Sequence, residues 1–564
     1  MPPRKPAHPN QIVRKYSPHS DIQSCLVTAD QMRAIEGRLF EAGMPVAALM
    51  EKVSGRITQW FITRYGVYRD RLPSAGSAHE RTPKIGVLAG PGHNGGDALV
   101  VARELHHAGY DVCVYQPFER LKPLTAQHAR YAKALGIRFV KTVAAIATCD
   151  AIIDGWFGFG LTRAITDPLA ADINSLNQQP IPIFSIDLPT GIHTDTGQVM
   201  GTAIKASYTA CLGLWKRGFM QADALAYLGE CDLIDFDIPW ADISAVLGES
   251  PSVQRLTREL ALSSLPLHRS PTAHKYTAGH LLLIAGSRQY AGAALLAGLG
   301  AMSSGVGMLT LAVPDSIRLT LLPQLPGALL VGCSETDSGA IAHLPQELAQ
   351  NLDVAKYDAI ALGPGLTPTV PNLLTQIFSF RCPLLLDADG LNLLAQADPI
   401  QQLQSHPAPT VLTPHLGEFK RLFPDIHSSA ADRSPNDCLP GAIALEAAKV
   451  STATILLKGP RSAVASGQNL WFNPHSTPAL ARGGSGDVLT GLMGGLIASA
   501  AQSEAWKDHP DVLIPPVLGA VWWHSQAAIC ASAQRTVLGV DPLHLAQALN
   551  PSLSVLSKAY ATQV

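Results

Sequence analysis

The sequence predicts an α/β protein built from two successive three-layer α/β/α domains. Two series of short, continuously apolar segments alternate with helical segments, and a charged, proline-containing stretch at about residues 242–271 separates the two series. Continuously apolar runs are typical of strands buried in a parallel sheet, and right-handed crossovers then place helices on both faces. The length of 564 residues is sufficient for two such domains.

The first series begins with helices. Residues 26–65 have helical periodicity, with Thr28 or Asp30 as the N-cap. A polar loop follows at residues 70–82, and then a strand at residues 84–89, a glycine-rich turn and a helix to residue 107. Further strands are predicted at residues 111–115, 151–154 and 181–187. The alternation predicts a doubly wound sheet that binds ligands at the carboxyl ends of its strands.

The glycine-rich turn at residues 90–97 formally matches the Gly-x-Gly-x-x-Gly fingerprint of dinucleotide-binding folds. The acid that should follow the second strand is absent, because Tyr115-Gln116-Pro117 stands there. An ordinary adenosine-binding site is therefore not indicated by this turn alone.

Polar residues nevertheless collect at the ends of these strands. Asn94 and Asp97 follow the first strand, Asp154 ends the third, and Asp187 and Thr190 end the fourth. Oxygen ligands that converge from three strand ends suit a hard cation, and Asp187 in the same crevice suits proton transfer. The alternative is that these side chains only cap helices or turns.

The second series repeats the alternation, and each strand ends in a polar or glycine-containing turn. An alanine- and glycine-rich helix is expected at residues 292–305. Strands are predicted at residues 279–287, 308–313, 359–362, 383–386, 410–412 and 454–457. The turns place a second candidate site along one edge of the second sheet.

The most informative stretch is the glycine-rich loop at residues 483–487, which opens a helix to about residue 498. Four consecutive backbone amides at a helix N-terminus favour an anion such as phosphate. Asp487 places a carboxylate in this anion site, where it could take a proton from a hydroxyl that attacks phosphorus. The loop is not a P-loop, because Gly-x-x-x-x-Gly-Lys-[Ser/Thr] does not occur. A simple helix start with Asp487 as its cap is the alternative, and we favour phosphoryl chemistry.

Composition excludes several classes. The net charge is -2 without a long basic stripe, which argues against nucleic acid as a partner. Nine scattered cysteines without Cys-x-x-Cys indicate neither a zinc site nor a disulfide framework, and we expect a cytoplasmic location. Residues 1–20 lack an apolar core and are expected to be a disordered tail rather than a signal peptide. The most apolar window, residues 512–530, contains prolines and polar residues and is expected to be a buried helix, not a membrane span.

Both halves also resemble one known family over about residues 23–549. The motifs Gly90-Pro91-Gly92-His93-Asn94-Gly95-Gly96-Asp97 and Ser185-Ile186-Asp187-Leu188-Pro189-Thr190-Gly191 are similar to signatures of the epimerase half of bifunctional NAD(P)H-hydrate repair enzymes. The motifs Asp387-Ala388-Asp389-Gly390, Thr413-Pro414-His415-Leu416-Gly417-Glu418, Lys458-Gly459 and Gly483-Gly484-Ser485-Gly486-Asp487 resemble the dehydratase half, a relative of ribokinase. The resemblance implies a Rossmann-like epimerase domain at residues 21–245 and a ribokinase-like dehydratase domain at residues 252–564.

The resemblance also implies roles for individual residues of the first half. A potassium ion would be held by Asn94, Asp154 and Thr190, and Asp187 would be the acid/base. The hydrated nicotinamide nucleotide would be bound by His93, Asn94, Gly95, Gly96, Asp97, Gly158, Phe159, Gly160, Leu161, Thr162, Arg163, Ala164 and Asp187. The chain departs from the family pattern at His93, Ala98 and Phe159, all in these loops.

In the second half, the resemblance makes Asp487 catalytic and implies Mg²⁺ together with ADP. The hydrated nicotinamide would lie at Ala293, Gly365, His415 and Asp487. The adenine nucleotide would be bound by Lys458, Gly459, Pro460, Arg461, Ser462, Gly484, Ser485 and Gly486. Here the chain departs from the family at Ser485 and at residues 525–529.

The implied activity is the repair of hydrated NADH and NADPH, called NADHX and NADPHX. The first half would interconvert the R and S hydrates, and the second would dehydrate the S hydrate with ADP, giving NAD(P)H, AMP and phosphate. The alternative is a ribokinase-like small-molecule kinase whose first half is a non-catalytic nucleotide-binding module. We also expect a homo-oligomer without nucleic-acid or membrane partners.

Overall fold

The computed structural model describes residues 22–71, 81–349, 356–367, 371–431, 436–503 and 513–561. The chain divides into two compact units, residues 1–251 and 252–564, so that the division falls within the proline-containing stretch. The expected tail at residues 1–20 lies outside the described residues, as does most of the polar loop at residues 70–82.

The first unit contains a seven-stranded, all-parallel sheet in the order β4-β3-β2-β5-β6-β7-β9, together with a two-stranded β1-β8 pair. Its strands are β1 Leu26–Val27, β2 Lys84–Ala89, β3 Asp111–Tyr115, β4 Arg138–Val140, β5 Ala151–Gly155, β6 Ile183–Ile186, β7 Tyr208–Leu212, β8 Trp215–Lys216 and β9 Glu230–Ile234. Its α-helices are α1 Ala29–Glu41, α2 Val46–Asp70, α3 His93–His107, α4 Pro123–Ala134, α5 Val143–Ile146, α6 Leu169–Asn177, α7 Leu225–Leu228 and α8 Trp240–Leu247.

Both faces of this sheet are buried. Val87 belongs to the apolar core on one face and its neighbour Leu88 to the core on the other, as expected for successive residues of a strand. Thr28 is the N-cap of α1: its hydroxyl accepts from the Gln31 amide at 3.2 Å, while the Gln31 side chain accepts from the Thr28 amide at 2.9 Å. This capping box decides between the two candidate caps, because Asp30 lies inside the helix.

The second unit contains an eleven-stranded sheet in the order β10-β20-β19-β18-β17-β16-β15-β11-β12-β13-β14. Its strands are β10 Val253–Arg255, β11 His280–Ile284, β12 Met308–Pro314, β13 Leu329–Glu335, β14 Ile341–His343, β15 Ala359–Leu362, β16 Leu384–Leu386, β17 Thr410–Leu412, β18 Thr454–Leu457, β19 Ala463–Ser466 and β20 Asn469–Phe472. The central strands are parallel, and β14, β19 and β20 join through antiparallel pairings.

The α-helices of this unit cover the sheet. They are α9 Arg258–Ser263, α10 Ala291–Ser303, α11 Asp315–Leu321, α12 Gln346–Ala349, α13 Pro371–Phe378, α14 Asp389–Leu394, α15 Pro399–Ser405, α16 Leu416–Leu422, α17 Pro424–Ala431, α18 Pro440–Ser451, α19 Ser485–Ala501, α20 Ile514–Arg535 and α21 Pro542–Ala561. The predicted α/β class is thus confirmed. The apolar window is the buried helix α20, and no helix in the described part of the chain is both long and apolar enough to span a membrane.

The sequence did not predict every strand. The edge strand β4 was missed, so the strand at residue 151 is the fourth of the first unit's main sheet in chain order and not the third. The strands β1, β7, β8, β9, β10, β13, β14, β19 and β20 were also missed, and β1 lies at the start of the segment that was expected to be helical. Several of these lie at or near a sheet edge, where partial exposure replaces the continuous apolar run by a mixed pattern.

Helices α10 and α19 pack with their backbones in contact. A Cβ atom on Gly491 would lie 1.8 Å from the Ala297 carbonyl oxygen, and one on Gly300 would lie 2.2 Å from the Val488 carbonyl oxygen. Only glycine allows this approach. The contact fixes the position of α19, whose first turn is the glycine-rich loop.

We expect Gly491→Ala to lower the free energy of unfolding of the second unit by about 1–3 kcal/mol, because the added methyl group meets backbone that cannot move aside. Thermal or urea unfolding of the full chain measures this change. The matched control is Gly292→Ala in α10, where a Cβ would meet nothing within 4 Å. Equal midpoints for the two variants would contradict the proposed packing constraint.

Candidate functional site

The first unit carries a cavity of about 590 Å³ at the carboxyl ends of its central strands. Most predicted substrate residues line it: His93, Asn94, Asp97, Gly158, Phe159, Gly160, Leu161, Thr162, Arg163 and Asp187. Gly95, Gly96 and Ala164 are not among the lining residues. Gly95 and Gly96 instead allow close packing, since a Cβ would meet the Gly90 backbone at 1.9 Å and the Met50 side chain at 2.7 Å, respectively.

Asp187 is the buried carboxylate at the inner end of this cavity. Its backbone is in the left-handed region, with φ of 69°, which is strained for a residue other than glycine. Its carboxylate accepts from the Phe159 amide at 2.8 Å and the Leu212 amide at 3.4 Å, and it forms an ion pair with Lys216. These three donors hold the carboxylate in one position in the cavity.

Lys216 was missed by the sequence reasoning. Its side chain is 0% exposed, and its ammonium group also donates to the Leu212 carbonyl at 2.6 Å. Burial lowers the pKa of Lys216, but the Asp187 carboxylate opposes this effect strongly enough that the pKa lies above its usual value. The available signal was a single lysine inside the apolar run at residues 208–220, since a buried charge needs a partner.

Two further carboxyl groups face the cavity. Asp97 accepts from the Ser54 hydroxyl at 3.1 Å, and burial raises its pKa well above the usual value, with Asp187 and Glu36 adding to the effect. Glu36 projects from α1, and burial raises its pKa to about 7. Because α1 precedes the sheet by more than forty residues, the strand-end argument could not have found Glu36.

Asp154 is fully buried next to Thr190. Its carboxylate accepts from the Thr190 hydroxyl at 2.7 Å, the Thr190 amide at 2.9 Å and the Ser185 hydroxyl at 2.9 Å. Burial raises its pKa, and these hydrogen bonds oppose the increase. Asn94 is the third predicted cation ligand, and its buried amide nitrogen has no hydrogen-bond partner among the described residues. The oxygens of one carboxylate, one hydroxyl and one side-chain amide are ligands that suit an ion of low charge.

Basic side chains line the cavity as well. Arg33, His93, Lys122 and Arg163 are among its lining residues. Burial lowers the pKa of His93, and the nearby Lys122 ammonium adds to this decrease. The cavity therefore combines a cluster of carboxyl groups with the cationic side chains of Arg33, Lys122 and Arg163, which suit phosphate groups.

The second unit places its predicted residues at the adjacent carboxyl ends of β15 to β18. Asp387 is buried there, and it accepts from Lys458 Nζ at 2.6 Å and from the Thr490 hydroxyl at 2.5 Å. From the sequence, Asp387 belonged only to a motif that resembles the dehydratase half, and in the structure it links β16, β18 and α19. Lys458, predicted at the nucleotide, therefore also holds this carboxylate.

Asp487 lies in the first turn of α19, after Gly484 with φ of 96°. Burial raises the pKa of Asp487 to about 6, with repulsion from Asp387 adding to the increase and Lys458 opposing it. The Ser485 amide donates to the Arg482 carbonyl at 3.3 Å, so it does not join the expected row of four amides. The amides of Gly486 and Asp487 belong to the first turn, which has no intrahelical acceptors for them.

The other predicted residues of this unit surround that turn. His415 caps α16, because its ring nitrogen accepts from the Gly417 and Glu418 amides at 3.0 and 3.2 Å. A Cβ on Gly365 would lie 2.8 Å from the Ala293 Cβ, so these two predicted substrate residues adjoin. Gly459, Pro460, Arg461 and Ser462 form the turn between β18 and β19. In the described residues, no three His, Cys, Asp or Glu side chains cluster as metal ligands.

Comparison with known proteins finds matches to both units. A family model described as NAD(P)H-hydrate dehydratase matches residues 281–551, and one described as YjeF-related protein N-terminus matches residues 46–218. The chain is 50% identical over 529 residues to a protein of Thermosynechococcus vestitus called bifunctional NAD(P)H-hydrate repair enzyme, covering 94% of this chain and 97% of the relative. A Synechocystis protein of the same name is 51% identical over 93% of this chain and 94% of its own length.

A solved structure is also similar to the second unit. It is an ADP/ATP-dependent NAD(P)H-hydrate dehydratase from Bacillus subtilis co-crystallised with ATP and Mg²⁺. The two proteins are 30% identical with a TM-score of 0.42, over 54% of this chain and 98% of that chain.

We expect Lys216→Met to lower the free energy of unfolding of the first unit by about 3–5 kcal/mol, because it leaves Asp187 buried without its cation. Hydrogen exchange of peptides from residues 208–220 measures the stability of this unit within the full chain. The exposed Lys205→Met is the matched control, and we expect it to change stability by no more than about 0.5 kcal/mol. If Lys216→Met leaves the protection of these amides from exchange unchanged, the Asp187–Lys216 pair does not stabilise the unit.

Proposed function

The chain belongs to the family of bifunctional NAD(P)H-hydrate repair enzymes, and from this premise we propose how its two units perform the repair. The enzyme epimerises the R and S hydrates of NADH and NADPH and dehydrates the S hydrate in a nucleotide-dependent reaction. Relatives that match over 94% of the chain favour this function over the small-molecule kinase that the residues alone left open.

The observation that carries the proposal for the second unit is the position of Asp487. It is a carboxylate of raised pKa in the first turn of α19, where the Gly486 and Asp487 amides have no intrahelical acceptors. Asp487 takes the proton of the substrate hydroxyl as that oxygen attacks the terminal phosphoryl group of ADP. AMP leaves, the phosphate then leaves the nicotinamide ring as the neighbouring ring carbon loses a proton, and the reduced coenzyme is restored. Hydroxide is a poor leaving group, and its conversion to phosphate ester makes the elimination possible.

The remaining residues of this crevice position the reactants. The amides of Gly486 and Asp487 face the charge that develops on the transferred phosphoryl group. Asp387, which also accepts from the Thr490 hydroxyl, holds the Lys458 ammonium, and the turn at residues 458–462 receives the nucleotide. His415, Ala293 and Gly365 would form the nicotinamide side.

Magnesium would accompany the nucleotide. Asp387 and Asp487 repel one another, as the raised pKa of Asp487 indicates, and a divalent cation would relieve that repulsion. Mg²⁺ takes oxygen ligands and usually keeps waters alongside one or two carboxylates and the substrate phosphates. These two carboxylates would hold it, and its chemistry is to neutralise charge on the nucleotide.

In the first unit, Asp187 is the proposed proton-transfer residue for epimerisation. The cavity lining would hold the hydrated ring near Asp187, and Arg33, His93, Lys122 and Arg163 would hold the phosphate groups. A potassium ion would be held by Asn94, Asp154 and Thr190, where its chemistry is to fix two substrate loops together. The carboxylate, hydroxyl and amide oxygens of these three residues suit a cation of low charge. A homo-oligomeric state and a cytoplasmic location stay predictions.

We expect the wild-type chain with mixed hydrate epimers and ADP to restore the reduced-nicotinamide absorbance, and Asp487→Asn to lose this activity by about 10²–10⁴-fold. Because the raised pKa means that the ionised base is lost as pH falls through about 6, kcat/KM for the S hydrate should fall below that pH. Parallel assays with ATP identify the phosphoryl donor. The control is the exchange of R and S epimers without nucleotide, and Asp487→Asn should leave the rate of this exchange unchanged. Recovery near the wild-type rate would contradict the mechanism.

We expect replacement of potassium by tetramethylammonium to slow the exchange of R and S epimers several-fold, because the organic cation is too large for the Asn94, Asp154 and Thr190 oxygens. Dehydration of the pure S epimer by the same chain should keep its rate. Chromatographic separation of the epimers over time measures the exchange. If the rate of epimer exchange is the same with either cation, the proposed potassium site is wrong.

A further inference from the structure

Glu36 is a carboxyl group in the first unit's cavity to which the proposed reaction gives no role. It lies on α1, is partly buried and lines the cavity together with Asp187 and Lys216. Within the described part of the chain it forms no hydrogen bond and no ion pair. A buried carboxyl group without a partner is costly, and such groups occur where function requires them.

The surroundings of Glu36 and Asp187 are opposite in character. Asp187 receives two backbone amides and the Lys216 ammonium as donors. Glu36 receives no donor. Two carboxyl groups of one cavity whose surroundings differ in this way are suited to paired acid and base chemistry.

Epimerisation of the hydrate needs such a pair. The hydroxyl-bearing carbon is bonded to the ring nitrogen, and its configuration is lost when the carbon–nitrogen bond breaks. The hydroxyl proton then goes to a base, the carbon becomes an aldehyde, and an acid supplies a proton to the nitrogen. Closure of the ring on the opposite face returns both protons, so that no proton, electron or other reactant is gained or lost.

Resting on the epimerase activity, we propose that Glu36 is a second catalytic residue of this site, acting as the general acid that protonates the ring nitrogen while Asp187 takes the proton of the substrate hydroxyl. The two residues exchange roles when the ring closes. Glu36 reaches the cavity from α1, whereas Asp187 follows β6, so the two groups approach the ring from different elements.

The charges around Glu36 agree with this role. Burial raises its pKa to about 7 and Asp187 adds to the increase, whereas Lys216 and Arg33 oppose it. Asp97 faces the same space from α3, and its own pKa is raised partly by Glu36. His93, Lys122 and Arg163 are the other charged or titratable lining residues. Glu36 is therefore protonated below about pH 7, and the acid is lost as the pH rises through that value.

The test is the exchange of R and S hydrates by the full chain, without nucleotide, from pH 5.5 to 9. For the wild-type chain we expect kcat/KM to fall as the pH rises through about 7. Glu36→Gln keeps the shape of the side chain but cannot donate a proton to the ring nitrogen. We expect it to lower kcat by about 10²-fold or more, to leave KM near the wild-type value and to abolish the pH-dependent decrease. Glu36→Asp should retain part of the activity and the pH dependence.

Glu41→Gln, at the exposed end of the same helix, is the matched control and should behave as the wild type. An unchanged KM shows that the site of Glu36→Gln is folded, and dehydration of the S epimer verifies the rest of each chain. Exchange by Glu36→Gln near the wild-type rate would overturn the proposal. It would also be overturned if Asp97→Asn, and not Glu36→Gln, abolished the decrease near pH 7. A wild-type chain that dehydrates the S epimer but exchanges no epimers would overturn the epimerase activity itself.

Discussion

In each unit, one ion pair between a buried carboxylate and a lysine at the carboxyl edge of the sheet organises the site. Asp187 pairs with Lys216 in the first unit, and Asp387 pairs with Lys458 in the second. A charge removed from water at this depth is tolerated only with its partner, because either group alone would remain desolvated and uncompensated. The strand ends and loops that carry these four residues are therefore held in one arrangement.

The pairs also set the chemistry of their neighbours. Asp187 contributes to the raised pKa values of Glu36 and Asp97, and Asp387 does the same for Asp487. In both units, burial and a neighbouring negative charge raise the pKa of a second carboxyl group towards neutral pH. Proton transfer is efficient when the pKa of the catalytic group lies in that range. Isomerisation in one unit and phosphoryl transfer in the other thus use the same electrostatic principle.

The sequence predicted the residues whose position follows from one strand or one loop. Buried parallel strands have a clear apolar signal, and the polar residues directly after them, such as Asp187 and Asp487, could be placed at a sheet edge. Lys216 and Glu36 could not be found in this way, because their proximity to Asp187 depends on how separate elements pack. The pairing of Asp387 with Lys458 and Thr490 joins residues 71 and 103 positions apart, and no local pattern reports such a contact.

The contact between α10 and α19 has a consequence for how this enzyme can diversify. The two backbones touch at Gly491 and Gly300. The helix that carries the proposed base Asp487 and the helix that begins beside the proposed substrate residues therefore move as one body. Variation that reshapes specificity must therefore arise in side chains that surround this body, such as the exposed Tyr290 next to Gly365. The smallest residues of the unit are its least replaceable parts, and a directed-evolution library would gain by leaving them untouched.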